Sequence, residues 1–164
     1  MHRTLKGGAA ILSIAAVALS GCAAGQPSAS PSAASPSSTA AVGGTTVQVN
    51  LQEWAVVPAS TSTAAGQVTF KVTNTGPADI HEFVVLRTDL DPAALPTDST
   101  GAVTETGAGM TVEDEIEDIP VGQSQDLTVP LVAGKYVLLC NIYDETEKEA
   151  HYKMGMRIAF EVTP

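Results

Sequence analysis

The chain is short of cations, thiols, imidazoles and aromatic rings, and each shortage narrows what it can be. Eight Lys and Arg stand against eighteen Asp and Glu among 164 residues, a formal net charge of −10. A surface of that sign repels nucleic acid and anionic lipid headgroups, which excludes both as partners recognised by charge. Two cysteines cannot build the dense disulfide framework of a small secreted scaffold. No apolar run approaches the ~20 residues of a membrane-spanning helix; the segment Ala9 to Leu19 is too short. All seven aromatic residues lie from Trp54 onward, which puts the hydrophobic core there.

What is present begins with an address. "MHRTLKGGAAILSIAAVALSGC" has basic Arg3 and Lys6, then the apolar run, then Leu19-Ser20-Gly21-Cys22, the layout of a secretory signal over residues 1–21. Leu-Ser-Gly-Cys resembles the bacterial lipobox, which implies that Cys22 is lipidated and that the mature protein is extracytoplasmic, anchored to the cell membrane by its acyl chains alone. Cleavage before Cys22 leaves six basic residues against eighteen acidic ones, a net charge of −12. A charged partner is then expected to be basic. Residues 23–45, made of Ala, Ser, Pro, Gly, Thr, Gln and Val without charge or aromatic ring, cannot bury enough surface to offset ordering entropy and read as a tether. The lipidated Cys22 and this tether make up 22–45; the folded domain is expected over 46–164.

Within that domain the sequence reads as strands. "TTVQVNLQEW", "GQVTFKVTN" and "GMRIAFEV" alternate apolar and polar residues, whereas "HEFVVLR" and "GKYVLLC" carry continuous apolar runs and "QSQDLTVPLV" completes the set. Short helices are expected only around 91–95 and 145–150. The fold class is therefore all-β, an antiparallel Greek-key sandwich of about seven strands. Residues 88–122, with Pro92, Pro96, Pro120 and the run "EDEIED", read as a long loop excursion.

With Cys22 taken by lipid, Cys140 is the domain's single thiol, and His81 and His151 are its two imidazoles; Met154 and Met156 follow closely. Each residue alone has a bland explanation: a buried inert thiol, surface histidines, a core methionine. Together they form a His₂Cys set with a thioether, the donor set of a blue-copper centre. The segments "VTFKVTNTGPADIHEFVVL" and "GKYVLLCN…H…GM" resemble the cupredoxins across most of 46–164. That resemblance implies a sandwich holding one copper ion, which cycles between Cu(I) and Cu(II) in outer-sphere electron transfer. It assigns the metal to His81, Cys140, His151 and Met156, with Met154 as the alternative axial ligand. Glu82 and Asn141, each next to a ligand, are candidates for hydrogen bonds that tune it. Ten residues separate Cys140 from His151 where plastocyanin-like members have a few, and five of the ten are charged.

No histidine is left over for a second copper centre, so no catalytic role is expected. Two functions remain. One is a tethered single-copper electron carrier serving redox partner proteins; the other is a delivery protein that holds Cu(I) without cycling. The acidic run "DETEKE" between two ligands is a candidate docking rim.

Overall fold

The computed structural model describes residues 44–164; the signal segment, Cys22 and the tether up to residue 43 lie outside the described residues. Eleven strands and one short helix follow in order: β1 Thr45–Gln52, β2 Ala55–Pro58, β3 Ser62–Ala64, β4 Gly66–Asn74, β5 His81–Thr88, β6 Met110–Ile119, β7 Ser124–Leu131, β8 Gly134–Leu139, β9 Tyr143–Asp144, β10 Glu149–Ala150, α1 His151–Met154 and β11 Arg157–Thr163. The first strand thus starts one residue before the expected boundary. The six strands anticipated from pattern are β1, β4, β5, β7, β8 and β11.

They assemble into two sheets, ordered β2-β1-β4-β7 and β3-β11-β8-β5-β6. Both are mixed, not purely antiparallel: β1 runs parallel to β4, and β11 parallel to β3. Alternation decides which face each strand buries. Val47, Val49 and Leu51 of β1, Val68, Phe70 and Val72 of β4, and Leu127, Val129 and Leu131 of β7 turn inward. They meet Phe83, Val85, Leu138, Phe160 and Val162 of the second sheet in one core. Phe70 sits at its centre, with ring centroids 5.3 Å from Phe83 and 5.6 Å from Phe160. Such aromatic pairs add about 0.5–1.5 kcal/mol each beyond the area they bury.

The segment 88–122 is not all loop. Its second half is β6, a ten-residue strand paired antiparallel to β5 at the edge of the sheet. The acidic run hid it, because an edge strand keeps a solvated face where "EDEIED" costs nothing, while Ile116 and Ile119 turn into the core between the sheets and Met110 joins the apolar layer outside. The remaining loop, 89–109, lies over the outer face of the second sheet. There Leu95, Val103 and Met110 cover Val84, Leu86, Val137, Leu139 and Tyr152 in a second apolar layer. This explains the continuous apolar runs: β5 and β8 are buried on both faces. The helix expected at 91–95 is a turn, with the Asp91 carboxylate accepting from the Ala93 N–H at 2.8 Å. The helix expected at 145–150 is replaced by a hairpin, β9–β10, and the chain turns helical only at His151.

Candidate metal centre

The second sheet brings the expected donors to one end. His81 is the first residue of β5, Cys140 directly follows β8, and His151 opens α1. All three are buried, with 0%, 0% and 2% of their surfaces exposed.

Three local devices set these positions. The loop before His81 is pinned by the buried Asn74 side chain. Its Nδ2 donates to the Asp79 and Ile119 carbonyls at 2.7 and 2.8 Å, and its Oδ1 accepts from the Gly76 N–H at 3.0 Å. This gives the "VTNTG" segment a physical role. The long Cys-to-His interval is absorbed by the β9–β10 hairpin, whose base is closed by the His151 N–H donating to the Ile142 carbonyl at 2.9 Å. Asp144 Oδ1 accepts from the Thr146 and Glu147 N–H groups at 2.5 and 2.9 Å and so shapes the tip. Finally, the Cys140 N–H donates to the Met156 carbonyl at 3.0 Å, and the Met156 N–H to the His151 carbonyl at 3.1 Å.

The donor atoms form a triangle. His81 Nδ1 lies 3.2 Å from His151 Nδ1, and Cys140 Sγ lies 3.4 Å from His151 Nδ1 and 4.0 Å from His81 Nδ1. A point equidistant from these three corners is about 2.1 Å from each, within the ~2.0–2.3 Å at which a metal such as zinc sits from imidazole nitrogen and thiolate sulfur. Two imidazoles and one thiolate in a trigonal array with a nearby thioether fit one copper ion.

Without metal, the site is neutral. Burial pushes the Cys140 thiol up to about 12, against the pull of the Glu82 and Ile142 backbone groups. Burial also holds both imidazoles below their ordinary value, and the facing His151 adds to the effect on His81. His81, Cys140 and His151 could hold a cation there: the thiol would give up its proton on binding, and the two imidazoles are already free to ligate.

The other expected residues fall into place unequally. Met156 is wholly buried in the core cluster that contains Cys140, whereas Met154 is 42% exposed on α1. Glu82 reaches the site through its backbone, its N–H donating to Cys140 Sγ at 3.2 Å. Its carboxyl points away toward Glu105 and Glu115, and burial with those neighbours pushes it up to about 7. The Asn141 side chain also points away from the metal triangle. Its Oδ1 accepts from the Val103 N–H at 2.5 Å, and its Nδ2 donates to the Val103 carbonyl at 3.0 Å and to Glu105 Oε1 at 2.7 Å, so it fastens the 89–109 loop. Alternation explains both outcomes: at a strand end, the neighbour of an inward ligand faces the opposite way.

Sequence reasoning missed two residues on the turn after β1. The Trp54 ring stands edge-on to His151 with centroids 5.0 Å apart, and Glu53 approaches His81 from behind. Glu53 lies 28 residues from His81 and Trp54 97 residues from His151, and neither belongs to a ligand pattern; the signal was only that the two sit together where β1 ends.

A two-sheet sandwich whose second sheet gathers a His-Cys-His-Met group at one end has the architecture of the cupredoxins. Among solved structures, the fold is similar to that of dithionite-reduced auracyanin from the photosynthetic bacterium Roseiflexus castenholzii, at 24% identity and a TM-score of 0.52, covering 73% of this chain and 98% of that one. Auracyanin A from Chloroflexus aurantiacus, a "blue" copper protein, aligns at 19% identity with a TM-score of 0.49 over 74% of this chain and all 100% of its own. Rusticyanin from Thiobacillus ferrooxidans aligns at 16% identity and 0.49 over 73% and 77%. No protein-family model and no curated protein sequence matches the chain.

Proposed function

We propose that this protein is a single-copper electron carrier, with His81, Cys140 and His151 as equatorial ligands and Met156 as the axial thioether. The observation that carries this reading is the buried triangle of two Nδ1 atoms and one Sγ, already spaced for one metal. Copper held there would supply a one-electron couple, the thiolate and thioether favouring Cu(I) and the imidazoles suiting both states. The chain's contribution is rigidity: donors fixed by sheet, hairpin and backbone hydrogen bonds change little between the two states, which keeps the reorganisation cost of electron transfer low. The exposure of Met154 speaks against it as the axial ligand.

Lipidation at Cys22 and the 23–45 tether would hold this domain on the outer face of the cell membrane, within reach of membrane-bound partners. A cleft of about 510 Å³ borders His151 and is lined by Asp79, Asp118, Asp144 and Glu145 together with Ile80 and Ile142. It suits a basic redox partner, in an association that salt weakens.

Copper(II) titration of the full-length protein tests the reading. An intense thiolate-to-copper visible band and a reversible one-electron wave are expected, and Cys140→Ser should remove both. Met156→Ala should shift band and potential, and Met154→Ala should leave them in place. A colourless protein that binds Cu(I) alone would point instead to copper delivery, and one that takes no copper would overturn the assignment.

A further inference from the structure

Two buried polar atoms near the centre have no hydrogen-bond partner and belong to residues that face one another: His81 Nε2 and Glu53 Oε2. The chemistry of a metal on Nδ1 gives that coincidence a meaning. A neutral imidazole has one N–H; when Nδ1 binds a cation, the hydrogen must sit on Nε2. In His81 this nitrogen is sealed inside the protein, where an N–H without an acceptor is unfavourable. The Glu53 carboxylate is at hand, its Oε1 3.8 Å from His81 Nε2.

The protein has gone to some length to place that carboxylate. Glu53 is a charged side chain only 11% exposed, at the end of the first strand. Its Oε1 accepts from the Ala78 and Asp79 N–H groups at 3.2 and 2.8 Å, in the loop that leads into His81. Residue 76 in the same loop is glycine, and a Cβ there would stand 2.6 and 2.7 Å from the two carboxylate oxygens. The space for the carboxylate is thus made by the absence of a side chain. Oε2 remains uncommitted, the terminal torsion of a glutamate turns in a broad well, and Oε1 already stands only about 1 Å beyond hydrogen-bond distance from Nε2, so a small shift of the carboxylate completes the bond.

We propose that Glu53 is the positioning residue for His81: its carboxylate accepts the Nε2–H that a metal-bound His81 must carry, fixes the ring, and adds a buried negative charge behind the metal. The proposal rests on the copper reading. It makes the β1 end a working part of a centre whose ligands all lie on the other sheet or its connections. Carboxylate behind imidazole raises the basicity of the ligand and favours the more highly charged metal state. Glu53 therefore lowers the reduction potential.

The experiment compares full-length protein with Glu53→Gln, which keeps an oxygen for the two loop amides and loses the charge. Both are loaded with copper; the reduction potential is measured, and the Cu(I) forms are studied by NMR of the histidine ring hydrogens. The variant is expected to keep the visible band, because no ligand has changed. Its preference for Cu(II) over Cu(I) should fall about tenfold, an upward shift of about 59 mV for a one-electron couple. The His81 Nε2–H should be slowly exchanging in the wild type and should exchange faster in the variant. An unchanged potential together with an unchanged Nε2–H would overturn the proposal, leave Glu53 as a loop anchor, and leave the copper reading standing. A wild-type protein that takes no copper would overturn both. Should Glu53→Gln fail to fold, Gly76→Ala displaces the same carboxylate without removing it. The same two readouts then decide: a smaller upward shift with faster exchange supports the proposal, and no change in either sinks it.

Discussion

The two sheets are buried in different ways. In β1, β4 and β7 alternate residues face water, as the burial of Val68, Phe70 and Val72 between exposed or half-exposed neighbours shows. In β5 and β8 the runs Phe83 to Leu86 and Tyr136 to Leu139 are buried without a break, because the 89–109 loop closes the outer face. Two of the proposed ligands belong to this doubly covered sheet: His81 starts β5 and Cys140 continues β8. A strand packed on both faces has little freedom to shift or twist, so its end is a fixed point. The singly covered sheet contributes the Glu53–Trp54 turn, which backs the imidazoles without ligating. Cys140 and Met156 belong to the core between the sheets, so core and candidate site share one rigid support.

The difference can be broken most strongly by emptying each layer in turn. Phe70→Ala, in the core between the sheets, is expected to cost about 3–5 kcal/mol, and Leu86→Ala, in the outer layer, about 2–4 kcal/mol, both read by urea unfolding. Their effects on the centre should diverge. Leu86→Ala loosens the doubly covered strand that begins at His81 and should speed copper loss from folded protein. Phe70→Ala should leave that rate close to wild type; equal acceleration by both would show that the outer layer has no special hold on the site.

A smaller effect separates the two regions by pH. Burial holds the His81 and His151 imidazoles below 6.5 in the folded chain, whereas the unfolded chain has ordinary ones. Between 6.5 and the depressed folded values the unfolded state binds more protons, so stability falls as pH falls through that window. Glu82, whose carboxyl is pushed up to about 7, acts with the opposite sign over the same range, so the histidine contribution is read by difference. Between about pH 7 and about pH 5 metal-free wild type should lose more stability than a variant with both histidines replaced by glutamine, and equal pH dependence in the two would place the sensitivity elsewhere.

The smallest expected effect lies at the hairpin tip, where Lys148 Nζ sits 2.8 Å from Glu145 Oε2 with both side chains largely exposed. Lys148→Ala should change stability by less than about 0.5 kcal/mol. It should also leave the copper spectrum unchanged, since the hairpin is fastened at its base and not at its tip. A spectral shift would contradict that separation.

The parts of the molecule that show periodicity were readable from the chain. Alternation placed β1, β4 and β11, and the continuous runs of "FVVL" and "YVLL" marked strands without revealing why both faces were apolar; the covering loop supplies the reason. β6 was hidden because Glu and Asp on a solvated edge look like a loop, and β2 and β3 were too short to carry a period. The grouping of His81, Cys140 and His151 was legible because thiol and imidazole are rare in this chain and each is hard to spend elsewhere. Their support was not. Glu53 and the Asn74 anchor act through contacts between distant segments, and the directions of the Glu82 and Asn141 side chains depend on a strand-end geometry that no local pattern encodes.

The closed base of the β9–β10 hairpin also has a bearing on how this molecule can change. Because the His151 N–H meets the Ile142 carbonyl, the intervening stretch begins and ends at one place. Lengthening such an appendage costs little, since loop closure grows only as the logarithm of its size. The stretch between thiol and imidazole is therefore an insertion port: sequence can be traded in and out there, by evolution or by grafting, while the geometry of the donor triangle is inherited intact.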